Sequence, residues 1–256
     1  MSTSTPPEAA EPRLHPWQSC LDIEAQDGGH YLDFVNEPML RAVDGAPRRV
    51  LELGCAAGML GSTLKERFPG VHVTGIEAGQ AAAAIAATRI DRVIPERIEQ
   101  VDFAARGFAA GEFDTVLAGD ILEHLVDPWR ALQSVRPYLA PGGQLVASIP
   151  NVRNLQVVQS LVLDGRWRYA ERGLLDVTHL RFFTFEEIRE MFAQTGYVLE
   201  HFLFTLSPAL TALFREIEGK DKVSLRFGRL SIEDVTRREA VEFCAEQFVV
   251  RARPAP

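Results

Sequence analysis

The chain has 256 residues, 46% apolar and 24% charged, with 27 Lys and Arg against 35 Asp and Glu for a net charge of −8. That length suits one α/β domain with room for insertions, and the apolar share excludes a wholly disordered or collagen-like chain. The acidic balance removes the broad basic surface that duplex nucleic acid demands, so no nucleic-acid partner is expected.

Residues 1–28, rich in Pro, Ala, Ser, Thr and Glu, carry no hydrophobic period and predict a disordered tail ahead of a domain over 29–256. No basic segment followed by an apolar core marks a secretory signal, and the three scattered cysteines, Cys20, Cys55 and Cys244, lack metal-ligand spacing. A cytoplasmic chain is the expectation. The longest apolar stretch, Tyr197 to Phe214, is broken by Glu200, His201 and Pro208, so no stable membrane insertion is expected either.

A short helical lead-in is predicted from Tyr31 to Val43. After it come β-branched or aliphatic runs at 50–53, 71–76, 98–101, 113–118 and 144–149, each bounded by Gly, Pro or Asp. Helical stretches are predicted between them at 58–68, 78–89 and 128–139, with Pro128 suited to a first helical position. Repeated βα units imply a doubly wound, mostly parallel sheet with helices on both faces and ligands at the carboxyl ends of the strands. The alternation stops over about 151–183, which reads as an insertion, and resumes with a helix at 184–195 that Thr184 and Glu187 can cap. Two last strands are predicted at 197–206 and 246–253, closing the sheet with an antiparallel pair. They are joined by a second insertion at about 207–245.

The first strand runs into Glu52-Leu53-Gly54-Cys55-Ala56-Ala57-Gly58 and a helix starts at once. A turn of Gly and Ala lets the backbone approach a ligand closely, and the helix N-terminus offers free N–H groups. Nineteen residues past Gly58, Glu77 ends the second strand, where a carboxylate can accept from ribose hydroxyls. Turn and acid together point to a nucleoside-containing ligand. A dinucleotide fingerprint would place Gly at positions 56 and 59, which here are Ala56 and Met59, so NAD is disfavoured.

Glu52 to Gly58, Glu77, Val101-Asp102-Phe103, Gly119-Asp120-Ile121-Leu122-Glu123-His124 and Leu139-Ala140-Pro141-Gly142-Gly143 together resemble a class I S-adenosylmethionine (SAM)-dependent methyltransferase. The resemblance implies that fold, with seven strands, and SAM as cofactor. It implies that Glu52, Gly54, Cys55, Ala56 and Gly58 form the cofactor turn, that Glu77 holds the ribose, and that Asp102 and Phe103 border the adenine. Asp120 would lie beside the methionine moiety and Tyr31 would close over the cofactor. Ala56 stands where the family most often has Gly or Ser.

Methyl transfer to a hydroxyl needs a positioned acceptor and a group to take its proton, a task that suits histidine. Of the six histidines, His124 follows the fourth strand, and His179 lies in Asp176-Val177-Thr178-His179-Leu180-Arg181-Phe182-Phe183-Thr184 at the end of the insertion. His179 is the proposed base and His124 the second candidate. The segment is similar to one in methyltransferases associated with glycosyltransferases, which implies a sugar-containing acceptor. Residues 151–181 carry five arginines and three acids, and Arg153 and Arg181 are the candidate acceptor contacts. No metal is expected, because a helix would point Asp120, Glu123, His124 and Asp127 in different directions. Two other readings stand beside the sugar hydroxyl: a quinone, phenol or other small-molecule acceptor, and a non-catalytic binding protein that keeps the fold. The sequence leaves the oligomeric state open.

Overall fold

The computed structural model describes residues 35–256. The tail and Tyr31 therefore lie outside the described residues. Asn36 caps a short helix α1 (Glu37–Ala42), after which β1 (Arg49–Leu53), α2 (Met59–Arg67), β2 (His72–Ile76), α3 (Gln80–Ala86) and β3 (Arg92–Ile94) follow in turn. Next come β4 (Phe113–Gly119), α4 (Pro128–Val135) and β5 (Leu139–Pro150). The rest comprises α5 (Leu155–Asp164), α6 (Phe185–Gln194), β6 (Tyr197–Leu206), α7 (Pro208–Ile217), β7 (Lys222–Phe227), β8 (Leu230–Thr236), α8 (Arg237–Cys244) and β9 (Ala245–Pro254).

Among the described residues, seven strands form one sheet in the order β3-β2-β1-β4-β5-β9-β6. Pairing is parallel from β3 through β5, and β9 runs antiparallel to both β5 and β6. This is the doubly wound, mostly parallel sheet that the strand alternation predicts, with the seven strands that the resemblance implies. β1 carries Val50, Leu51 and Leu53 fully buried, as a strand covered on both faces requires. One face packs on α1, α2 and α3 through Met39, Leu40, Leu60, Leu64 and Ala86, and the other on α4 and α6 through Leu132, Val135, Ile188, Met191 and Phe192. The chain winds outward from β1 to β3 and then returns to β4 beside β1. Their carboxyl ends therefore flank the crevice where such sheets bind ligands.

One predicted strand is corrected. Residues 98–101 form a 3-10 turn, Ile98–Gln100, whose apolar ends Ile98 and Val101 both pack on the core, a three-residue spacing that suits a turn. The strand beside β2 is instead Arg92–Ile94, which pairs with Thr74–Ile76. The helix predicted at 128–139 stops at Val135, because Pro137 follows within a turn that passes directly into β5. Thr184 and Glu187 form the reciprocal cap of α6, as their spacing predicts.

Part of the chain beyond Pro150 builds a separate, smaller core. Leu155 of α5 packs with Leu210 and Ile217 of α7, Leu225 and Val235 of the β7–β8 hairpin, and Phe243 and Cys244 of α8. Asn151 donates from Nδ2 to the carbonyls of Glu242 and Ala245, tying this unit to the end of β5. No helix of the described residues is long and apolar enough to cross a membrane.

Candidate active site

The glycine turn leaves β1 through three residues with left-handed backbone, Gly54 (φ +67°), Ala56 (φ +44°) and Gly58 (φ +76°). At Gly58 a Cβ would lie 3.2 Å from the backbone of Ala86, so glycine is demanded by close approach as well as by φ. Ala56 adopts the strained region at a cost of about 1–2 kcal/mol. Its compensation is local: the Glu77 carboxylate accepts the Ala56 N–H at 2.8 Å and the Gly79 N–H at 2.8 Å. Glu77 thus clamps the turn from the end of β2, and a carboxylate with two such bonds keeps two further acceptor sites for a ligand's hydroxyls.

Glu52 and Cys55 face inward. Glu52 is buried beneath α2, near Gly61, and burial pushes its carboxyl up to about 8 against the pull of the Gly61 N–H. Cys55 is buried, its N–H donates to the Ile76 carbonyl, and burial pushes its thiol far up. Phe103 is a core residue, 5.0 Å from the Tyr138 ring and 6.1 Å from Phe108. Asp102 is exposed and accepts the Ala105 N–H at 3.0 Å.

Asp120 follows β4 with φ +49°, and three side chains hold it there. Ser148 donates to its Oδ1 at 2.9 Å, Gln247 to Oδ1 at 2.7 Å and Asn36 to Oδ2 at 3.1 Å. Burial raises its carboxyl to about 6, while the Ser148 and Asn36 hydrogen bonds oppose the rise. A non-glycine residue in this conformation is strained backbone, held here by side chains from the cap of α1, from β5 and from β9.

Just past Asp120 lies the cluster that sequence spacing misses. Residues Leu122–His124 form a 3-10 turn, not a long helix, and the segment 174–181 folds back against it: the Glu123 carbonyl accepts the N–H of Leu180 and of Arg181. His124 and His179, 55 positions apart in the chain, meet edge to face with ring centroids 4.7 Å apart. Glu123 is 1% exposed, and neither of its carboxylate oxygens has a hydrogen-bond partner among the described residues. Donor atoms of Glu123, His124 and His179 all lie within 4.8 Å of one another. The helix expected to point Glu123 and His124 apart is a 3-10 turn that brings their donor atoms together, and His179 arrives from the insertion. Burial raises the Glu123 carboxyl well above its ordinary value, with Asp120 and Asp176 adding repulsion. Burial lowers His124 to about 4, with His179 adding to the effect, and burial likewise lowers His179.

Arg153 and Arg181 both have partners within the protein. The Arg153 guanidinium pairs with the buried Glu242 and lies 4.4 Å from the Phe243 ring centroid, while Arg181 donates to the carbonyls of Leu180 and Val126. Both arginines tie loops down. Aromatic side chains of the insertion meet beside His179: Trp167 packs edge-on against Phe182 at 4.9 Å, and Phe182 sits 6.3 Å from the His179 ring.

Comparison with known proteins agrees with this geometry. A family model described as a methyltransferase domain matches residues 24–201. The chain is 31% identical over 159 residues to a ubiquinone biosynthesis O-methyltransferase of Aromatoleum aromaticum, covering 59% of this chain and 64% of that protein. It is 36% identical over 106 residues to a demethylmenaquinone methyltransferase of Thermus thermophilus, covering 41% of this chain and 48% of the relative. The chain thus spans less than two thirds of the curated relatives it matches. A SAM-dependent methyltransferase of Thermotoga maritima shares the fold with a TM-score of 0.55 at 18% identity, over 91% of this chain and 98% of the other.

Proposed function

The chain belongs to the methyltransferase-domain family, and from that premise we propose that it is a SAM-dependent O-methyltransferase acting on a hydroxyl of a small ring acceptor of the quinol or phenol type. The observation that carries this reading is the meeting of His124, His179 and Glu123 at the end of β4, beside the acidic rim formed by Glu77 and Asp120. The residues present fit the cofactor. The glycine turn admits a close ligand, Glu77 retains acceptor sites for ribose hydroxyls, and carboxylates at the strand ends suit a sulfonium cation.

When bound, SAM supplies an electrophilic methyl group; the chain's own part is positioning and proton handling. Asp120, locked by Asn36, Ser148 and Gln247, keeps the loop beyond β4 in place. The histidine cluster lies just past it and receives the acceptor hydroxyl. Trp167 and Phe182 line the approach with aromatic edges and faces, which suits a planar ring. A sugar acceptor has less support, because Arg153 and Arg181, the side chains expected to hold its oxygens, are engaged within the protein. The relatives named for quinone biosynthesis favour the ring.

Transfer of labelled methyl from SAM to a panel of dihydric phenols and sugar nucleotides tests the proposal. Labelled phenol ether formed by the wild type, and at least about a hundredfold more slowly by Glu123→Gln, is the expected result. Transfer to sugar nucleotides alone would overturn the ring acceptor, and no transfer to any acceptor despite SAM binding would overturn the catalytic reading.

A further inference from the structure

The histidine cluster has an organisation beyond that of a general base. His179 Nδ1 lies 3.2 Å from the Leu174 carbonyl, which can only accept, so Nδ1 carries the proton and the lone pair is on Nε2, 3.9 Å from Glu123 Oε1. His124 is oriented by a relay. Thr178 Oγ1 donates to Asp176 Oδ1 at 2.7 Å and therefore accepts from His124 Nδ1 at 3.0 Å, with the Thr178 carbonyl 3.3 Å from the same nitrogen. Both rings therefore have the protonated nitrogen pinned to an oxygen outside the cluster and the other nitrogen left as a lone pair. Between them stands Glu123, a carboxylate 1% exposed whose two oxygens receive no hydrogen bond among the described residues. A buried carboxylate with no donor, facing imidazoles that offer lone pairs instead of N–H groups, is an arrangement that lacks a positive charge at its centre.

We propose that Glu123, His124 and His179 bind one divalent transition-metal ion of the zinc class, with Leu174, Thr178 and Asp176 as the outer groups that fix the two imidazole tautomers. Pinning each ligating imidazole through its second N–H is how protein sites orient histidine ligands. Two nitrogens and one carboxylate select a borderline ion such as Zn²⁺, Co²⁺ or Fe²⁺ over Mg²⁺ and Ca²⁺, which prefer all-oxygen sets. Three protein ligands leave coordination positions open for water or an acceptor oxygen, and His124 is the half-buried member of the trio. When bound, such an ion would act as a Lewis acid toward an acceptor hydroxyl and ease loss of its proton. That use rests on the proposed methyl transfer; the binding itself does not.

The test titrates Co²⁺, then Zn²⁺ and Mg²⁺, into the full chain carrying no affinity tag, read by visible absorption and calorimetry. One equivalent of Co²⁺ should bind with the spectrum of a histidine-ligated site, and Zn²⁺ should displace it. Glu123→Gln and His179→Ala should abolish that site, Thr178→Val should weaken it roughly ten- to hundredfold, and His72→Ala, on exposed β2 surface, should leave it intact. Glu123→Gln preserves shape, and thermal melts of each variant separate loss of ligand from loss of fold. No Co²⁺ site in the wild type, a site that survives both Glu123→Gln and His179→Ala, or displacement of Co²⁺ by equimolar Mg²⁺ would each overturn the proposal. Methyl transfer that proceeds in a protein with no metal site would remove the ion and keep the enzyme; metal binding without transfer to any phenol would do the reverse.

Discussion

The two halves of the crevice are built in opposite ways. On the side of β1 and β2, the site is backbone: three left-handed residues within five positions, clamped by one carboxylate from the next strand. On the side of β4, it is side chains gathered from four places, with Asn36, Ser148 and Gln247 around Asp120, and His179 brought onto Glu123 and His124 from 55 positions away. The first half is a cradle for a ligand of fixed shape. The second is an assembly of ionisable groups removed from water, where burial shifts proton affinities and chemistry becomes possible. A fold can retain the cradle and exchange the assembly, which is how related sheets come to act on different acceptors.

The contrast can be broken from either side. The largest effect is expected at the assembly: Glu123→Gln should lower turnover about a hundredfold or more while SAM affinity stays within about threefold, as measured by steady-state kinetics at saturating SAM beside calorimetry. Next is the clamp. Glu77→Ala removes a carboxylate that holds two backbone N–H groups at 2.8 Å, and SAM affinity should fall roughly ten- to hundredfold; turnover at saturating SAM should change little, and a large loss of turnover there would merge the two halves.

Glu52 gives a smaller, pH-dependent effect. Its carboxyl is raised from 4.5 to about 8 by burial, so between those values the folded chain keeps a proton that the unfolded chain releases, and stability falls as pH rises. The slope is at most about 1.4 kcal/mol per pH unit. Denaturant melts from pH 5 to 9 should show this slope in the wild type and its loss in Glu52→Gln; identical pH profiles would remove Glu52 from the account. The smallest effect is Ala56→Gly, which relieves the left-handed strain at φ +44° and should raise stability by about 1 kcal/mol or less, since glycine also loosens the unfolded chain.

The same contrast decides what could be read before any coordinates. The turn from Glu52 to Gly58 and its acid at Glu77 are local in sequence, so residue type and spacing carry the physics. Thr184 with Glu187, a cap closed within four residues, is legible for the same reason. His124 after the fourth strand and His179 at the end of the insertion are each legible as candidates, but their meeting is not, because it depends on the insertion folding back so that Leu180 and Arg181 donate to the Glu123 carbonyl. Asp120 is legible and its three donors are not, since they come from the cap of α1, from β5 and from β9. The partners of Arg153 and Arg181 are hidden for a related reason: an arginine excess marks a basic segment, but Glu242 and the Val126 carbonyl, which engage these guanidiniums, lie far off in the chain.

On the proposed function, cofactor binding and acceptor chemistry reside in separable halves. Calorimetric titration of SAM into the wild type, Glu77→Ala and Glu123→Gln under one set of conditions tests it most directly. The structure predicts that Glu77→Ala weakens binding about tenfold or more while Glu123→Gln binds as the wild type does; SAM affinity that survives Glu77→Ala, or falls with Glu123→Gln, would contradict it.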